Sequence, residues 1–537
     1  MMLLLIPLAF AGSSAAARVG DSFATNIHWT SGQPGEMAML STAFKAVRMD
    51  FSWGRIESEC GQYNFSAYDA LLAEATAQGV RLYLILDYNN PQCYPSPGQS
   101  CETPACIAGY GALAKAAAAH FQGKPILWES VNEVRAAPPP PLPVHTLRAP
   151  LTPSPPAPHT RTQPNGMGQD NATDITALIA AAAAPLLASG AAFCGPATAG
   201  IDLPYLNRSF AAGLLDHVSA VSVHPYRAAA PEDALGDFAR LFALIAGYGK
   251  SLPVIPGEWG YTSAAPPCRY GNKRDRVLQG KYVPRMWLTD IMAGAVGPYV
   301  NYDWKNDGSN STDCESNFGS VEATHSGDPA HPFTPKPAFL AARAAQATIG
   351  GAASYSGRVA AKVGPPAAAL NITPASVFAL RFEGGAIPGA AAFAVYTNIS
   401  TCAARGAACG GPGATESDCL ALGCCFANST CSTAPPLLAT CALDVEARRD
   451  CGFSGVSQDE CVRLRGCCWE AQEPAVGGPQ CYYSAPAGLL PATIPVAPAP
   501  EDACFAVTDV FGFSRGSACA VGGELSLLLT DGPVYLL

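Results

Sequence analysis

Two glutamates stand at the ends of β-strand-like runs in this sequence: Glu133 in Trp128-Glu-Ser-Val-Asn-Glu133, and Glu258 in Val254-Ile-Pro-Gly-Glu258-Trp259. Two carboxyl groups about 5 Å apart can open an acetal with retention, one protonating the departing oxygen while the other attacks the anomeric carbon. Taken singly, each glutamate reads equally well as a solvent-facing loop carboxylate. The chemistry therefore depends on elements that would bring the two together.

Between about residues 20 and 350, short apolar strands alternate with alanine-rich helices. The strands are expected at Ser22–Trp29, Ala46–Trp53, Arg81–Tyr88, Ile126–Val131, Ala192–Gly200, Val218–Tyr226, Pro253–Trp259 and Pro298–Trp304. Helices are expected at Ser66–Gln78, Ile107–Phe121, Asp174–Ala188, Pro231–Tyr248, Tyr282–Ala295 and Pro337–Thr348. Eight strands alternating with helices predict an α/β fold, a (β/α)8 TIM barrel over residues 20–350. A doubly wound open sheet is the alternative, but no Gly-x-Gly-x-x-Gly follows the first strand, so a dinucleotide fold is disfavoured. Polar and aromatic residues gather at the C-terminal strand ends, where such barrels do their chemistry. They are His28, Asp87, Asn132, Glu133, His224, Tyr226, Glu258, Tyr302 and Trp304, with Arg48 in the second strand.

One tract interrupts the pattern. Of the twenty-nine residues 136–164, eleven are proline and none is acidic. Such a tract is extended rather than packed. It follows Glu133 directly, and reads either as a flexible arm at the cleft or as a stretch retained by a faulty gene model.

Beyond residue 350 the helical period gives way to strands, and a small β-sandwich-like domain is expected in two halves, 351–400 and 500–537. An insert with two sets of six cysteines separates them. Cys402, Cys409, Cys419, Cys424, Cys425 and Cys431 form the first; Cys441, Cys451, Cys461, Cys467, Cys468 and Cys481 form the second. Six cysteines in about forty residues can staple a domain too small for a core of its own. Adjacent Cys-Cys pairs, with no paired Cys-x-x-Cys or histidine, argue against zinc. Elsewhere, Cys268 with Cys314 and Cys504 with Cys519 are candidate disulfides, and Cys194 reads as a buried free thiol.

The net charge of −10 argues against nucleic acid or an anionic membrane as partner and suits a neutral substrate. Residues 1–17 read as a signal peptide, an apolar core followed by small residues, although a basic n-region is missing. Twenty-one cysteines and seven Asn-x-Ser/Thr sequons agree with a secreted or lumenal protein. No other segment has the eighteen or so apolar residues of a membrane span.

Two resemblances sharpen these readings. The second cysteine set, with Gly452 after Cys451, Trp469 after the adjacent pair and Tyr482 after the last, resembles a trefoil (P-type) domain over 441–482; the first, 402–431, is a shorter, degenerate copy. The resemblance implies pairing of first with fifth, second with fourth and third with sixth cysteines, and association with mucin-like or cell-wall glycans. A protease-resistant spacer is the plainer alternative. The barrel resembles the clan A glycoside hydrolases, nearest to families 5 and 39, in its Asn132-Glu133 on strand four and Glu258 on strand seven. Proline usually follows Asn-Glu there; Val134 does here. The resemblance implies a retaining glycosidase for O-glycosyl, chiefly β, bonds of a carbohydrate, with Glu133 as acid/base, Glu258 as nucleophile and no metal or cofactor. It further implies that Asn132 binds the sugar 2-hydroxyl, Arg48 holds Glu258 ionised, His224 and Tyr226 border the nucleophile and Trp304 floors a sugar subsite, with His28, Asp87 and Tyr302 on the same cleft. The alternative is a glycan-binding glycoprotein whose barrel no longer cuts.

Overall fold

The computed structural model describes residues 19–95, 101–133 and 172–351, most of 354–397 and 490–537, and short pieces within 425–482. The expected signal peptide, the proline-rich tract and the first cysteine set's side chains lie outside the described residues.

Eight parallel strands build the barrel: β1 (Phe23–Asn26), β2 (Ala46–Ser52), β3 (Arg81–Asp87), β4 (Ile126–Ser130), β5 (Ala192–Ala199), β6 (Ala220–His224), β7 (Val254–Pro256) and β8 (Tyr299–Asn301). Neighbours pair in sequence order, and β1 pairs with β8. Between β7 and β8 the ring closes through a parallel bridge at Trp259 and Asn301, with Tyr302 N donating to Trp259 O at 2.9 Å. Helices cover the outside, so the strands are buried on both faces and read as apolar runs. Thr103, Asp202 and Asp275 each cap a helix by accepting a backbone N–H, and Gly294, at φ 80°, ends the helix Arg276–Ala293 in the left-handed region.

Strand parity places the polar groups. One residue per strand (Ala24, Ala46, Tyr83, Leu127, Cys194, Ala220, Ile255 and Val300) forms a mostly apolar inner floor. Two positions further along, the same face presents Asn26, Arg48, Glu129 and Ser222, all buried. Polar chemistry thus starts one layer above the floor.

After the barrel a six-stranded antiparallel sheet, ordered Ser354–Arg358, Val377–Glu383, Ala392–Thr397, Val534–Leu536, Cys504–Thr508 and Ser514–Cys519, packs against a three-stranded one of Lys362–Val363, Leu490–Pro495 and Glu524–Leu529. The strands alternate: Val377, Ala379, Phe393, Val395, Val534 and Leu536 fill the sandwich, while Phe378, Leu380, Phe382, Tyr396 and Tyr535 join the barrel's core. Both faces of the larger sheet's central strands, Val377–Glu383, Ala392–Thr397 and Val534–Leu536, are therefore largely buried, while Ser354–Arg358 at the edge is partly exposed.

Disulfides Cys268–Cys314 and Cys504–Cys519 are present as expected, and Cys461–Cys481 joins the third and sixth cysteines of the second set. Cys60–Cys93 and Cys101–Cys106, which the sequence left unassigned, tie down the loops after β2 and β3. Cys194 is a buried free thiol. The other pairings in the two cysteine sets lie outside the described side chains.

Candidate active site

Strand β4 ends at Ser130, and the chain then turns sharply: Val131 at φ 43° and Glu133 at φ 51° both occupy the left-handed region. A β-branched valine there costs on the order of 1–3 kcal/mol, strain that surrounding structure must hold and that gathers at functional sites. Glu258, two residues past β7, comes from the opposite side of the ring. A carboxylate oxygen of Glu133 and one of Glu258 lie within 4.8 Å of each other, with a ring nitrogen of His224 inside the same limit of each.

Arg48, on β2 and 1 % exposed, organises the pair. Its Nη1 donates to Glu258 Oε2 at 2.6 Å, its Nη2 to Asn132 Oδ1 at 2.9 Å, and its Nε to Glu129 Oε2 at 2.7 Å. Glu258 also accepts from Asn26 Nδ2 on Oε2 and from the Tyr226 hydroxyl on Oε1, both at 2.9 Å. All three of these hydrogen bonds come to the carboxylate from donors, and together they fix its orientation.

His224, at the end of β6, lies 3.2 Å from Arg48 Nη2 through Nε2 and 3.3 Å from Glu133 Oε1 through Nδ1. Burial pushes its pKa down to about 4, against the pull of Glu258. A guanidinium can only donate, so Nε2 accepts and the proton of the neutral ring sits on Nδ1, donating to Glu133. Glu133 is held through Oε1 by a group that stays neutral at ordinary pH.

Of the remaining expectations, His28 reaches the rim, where Asp303 Oδ2 lies 3.1 Å from its Nε2. Despite the opposing effect of burial, Asp303, Asp307 and Asp50 raise its pKa to about 10. Tyr302, half-buried, stands edge-on to that ring at the mouth. Asp87 is wholly buried on the inward face of β3, with no hydrogen-bond partner on either carboxylate oxygen. Burial, then the nearby Asp50, push its pKa well above the usual carboxylate range.

Trp304 corrects the sequence reading. It is fully buried, its Nε1 donates to Glu36 Oε1 at 2.8 Å, and its ring meets Phe44, Phe333 and Phe339 edge-on. A side chain packed on all sides offers no face to a sugar, so it is a core residue.

The sequence reading also missed three members of the cluster: Asn26, Tyr83 and Glu129. Their signal was available. Asn26 and Glu129 share the inward parity of Arg48, and a glutamate inside a strand with no exposed residue must have a partner. Among the described residues, two groups are spaced closely enough to ligate a cation: Glu133 with His224 and Glu258, and His28 with Asp303 and Asp307. In the first Arg48 already holds Glu258, and in the second the His28 proton would have to leave.

This barrel with its appended sandwich is the fold of a class of glycoside hydrolases. A family 39 glycoside hydrolase from the gut symbiont Bacteroides cellulosilyticus WH2 superposes over 97 % of this chain and 82 % of its own, with TM-score 0.59 at 16 % identity. A family 30 subfamily 8 xylanase from Clostridium acetobutylicum covers 96 % and 95 %, and a glucosidase from Croceicoccus marinus 98 % and 97 %, each with TM-score 0.51 at 11 % identity. The likeness at these identities is one of fold. Within the chain, residues 441–484 match the trefoil (P-type) domain. Over 72 residues the chain is 39 % identical to integumentary mucin A.1 of Xenopus laevis, a match that takes 12 % of this chain and spans 18 % of the mucin.

Proposed function

We propose that this protein is a secreted or lumenal retaining glycoside hydrolase acting on O-glycosidic, chiefly β, bonds of a carbohydrate or glycoconjugate. The observation that carries the reading is the approach of Glu133 and Glu258 to within 4.8 Å, from opposite strands of one mouth, around Arg48. That spacing suits a nucleophile, whereas inversion needs carboxyl groups roughly 6.5–9.5 Å apart to admit water. Glu258 attacks C1 as its carboxylate; the Glu133 proton passes to the leaving oxygen, and water, deprotonated by Glu133, then releases the sugar. Asn132, which accepts from Arg48 Nη2, binds the sugar 2-hydroxyl; that hydrogen bond supports the role by fixing its side chain. The neutral barrel-mouth substrate agrees with the chain's acidity, and the trefoil is the module for mucin-like or cell-wall glycans. Residues 1–17 serve as the leader, and the disulfides fit an oxidising compartment.

The test is turnover of a panel of aryl β-glycosides and defined glucans, xylans and mannans. Glu258→Ala should abolish it, and Glu133→Ala should lower kcat/KM by roughly 10²–10⁴-fold. NMR of the first-formed product should show the starting anomeric configuration. Equal turnover by wild type and Glu258→Ala sinks the reading, and an inverted product sinks its mechanism. Glycan binding without turnover would favour the lectin-like alternative.

A further inference from the structure

Beneath the two glutamates lies a third carboxylate. Glu129, fully buried on β4, accepts from Arg48 Nε at 2.7 Å on Oε2 and from the Tyr83 hydroxyl at 2.5 Å on Oε1. The Tyr83 hydroxyl in turn lies 3.4 Å from the Cys194 thiol in the inner floor. A continuous polar column thus rises from Cys194 through Tyr83, Glu129 and Arg48 to Glu258. Arg48 is the only cation within it, and two carboxylates compete for that cation.

The competition has a direction. A guanidinium that faced Glu258 alone would hold its carboxylate more tightly and make it a poorer nucleophile. With Glu129 on its Nε edge, the same guanidinium is shared, and its plane is fixed so that Nη1 meets Glu258 and Nη2 meets Asn132. We propose that Glu129 is a positioning residue for the nucleophile: its buried charge divides Arg48 between two carboxylates and leaves Glu258 oriented but not fully neutralised. The proposal rests on Glu258 being the nucleophile. A merely structural role, neutralising Arg48 so that the barrel folds, would leave the pH behaviour of Glu258 unmoved.

The test is Glu129→Gln in the full chain, a change that keeps shape and offers an acceptor to Arg48. The expected result is a folded protein whose kcat falls roughly 10–100-fold with little change in KM. The acid limb of kcat/KM should move down by about one pH unit, since Arg48 then serves Glu258 alone. Glu129→Asp, which keeps the charge, should restore the limb. Carbodiimide labelling of Glu258, followed across pH by peptide mass spectrometry, reads the same shift without turnover. If Glu129→Gln does not fold, Tyr83→Phe carries the test, because loss of that hydrogen bond makes Glu129 draw harder on Arg48 and should move the limb and the labelling midpoint upward. Unmoved labelling and an unmoved limb overturn the inference. A shifted labelling curve in a protein that turns over no glycoside keeps the division of Arg48 between the two carboxylates and removes the glycosidase reading, with the nucleophile role, instead.

Discussion

His224 ties the site's electrostatics to the protein's stability. Its pKa falls from 6.5 to about 4 on folding because it is buried beside a cation. Between these values the unfolded chain binds a proton that the folded one does not, so this contribution is fully present above pH 6.5 and is lost as pH falls toward 4. The difference of 2.5 units is worth about 3 kcal/mol. Urea midpoints of wild type should therefore drop between pH 7 and 4.5 more steeply than those of His224→Asn, and parallel slopes would refute the assignment. At this scale the sequence was legible where a polar residue ended or followed a strand: Asn132, His224, Tyr226 and Glu258 all meet in one cluster around Arg48, which lies within β2. Inside an apolar run, as with Glu129 and Tyr83, parity marks the side chain as inward, but periodicity alone does not reveal which partner a buried group has found. Trp304 failed for the complementary reason. An aromatic residue beside a strand end packs as readily beneath the mouth as in it.

At the scale of elements, every expected barrel strand and helix is present, because apolar strand runs and alanine-rich helices differ in period and are punctuated by caps. The ends differ, and the reason is local. Strand β4 stops at Ser130 rather than Val131 because the left-handed turn at Val131 leaves the ladder, and no residue type announces that turn. Loop pairing was only partly readable: spacing suggested Cys268–Cys314, whereas Cys60–Cys93 depends on how the β2 and β3 loops fold over one another. The Cys268–Cys314 link closes 46 residues between the loops after β7 and β8. Those loops also share the bonds Ser263 N to Asn317 O and Thr262 Oγ1 to Cys314 O. Replacing both cysteines by alanine should cost about 2–4 kcal/mol, read as a lower denaturant midpoint. It should also open residues 262–318 to limited proteolysis, and a resistant variant would show that hydrogen bonds alone hold the rim.

Taken whole, the sandwich keeps an interior core of its own, while the barrel-facing residues of its larger sheet merge with the core of the barrel. A buried ion pair crosses this region. Arg285, on the helix that follows β7, donates Nε and Nη2 to Glu232 at 2.8 and 2.6 Å, and Nη1 to Asp531 O at 3.0 Å. Its guanidinium lies 4.6 Å from the Tyr282 ring centre and 5.5 Å from that of Tyr396, so one side chain joins helix, loop and sandwich. Lys281 pairs with Asp531 at 2.5 Å beside it. Removing one partner of such a pair strands a charge in a region from which water is excluded, a loss of about 3–5 kcal/mol. Arg285→Ala should therefore lower the denaturant midpoint of barrel and sandwich together, in a single transition followed by both tryptophan fluorescence and far-UV circular dichroism. Glu232→Gln in that background should recover much of the loss by removing the stranded charge. Two separate transitions would instead mean that the sandwich is an appendage, with the barrel stable by itself.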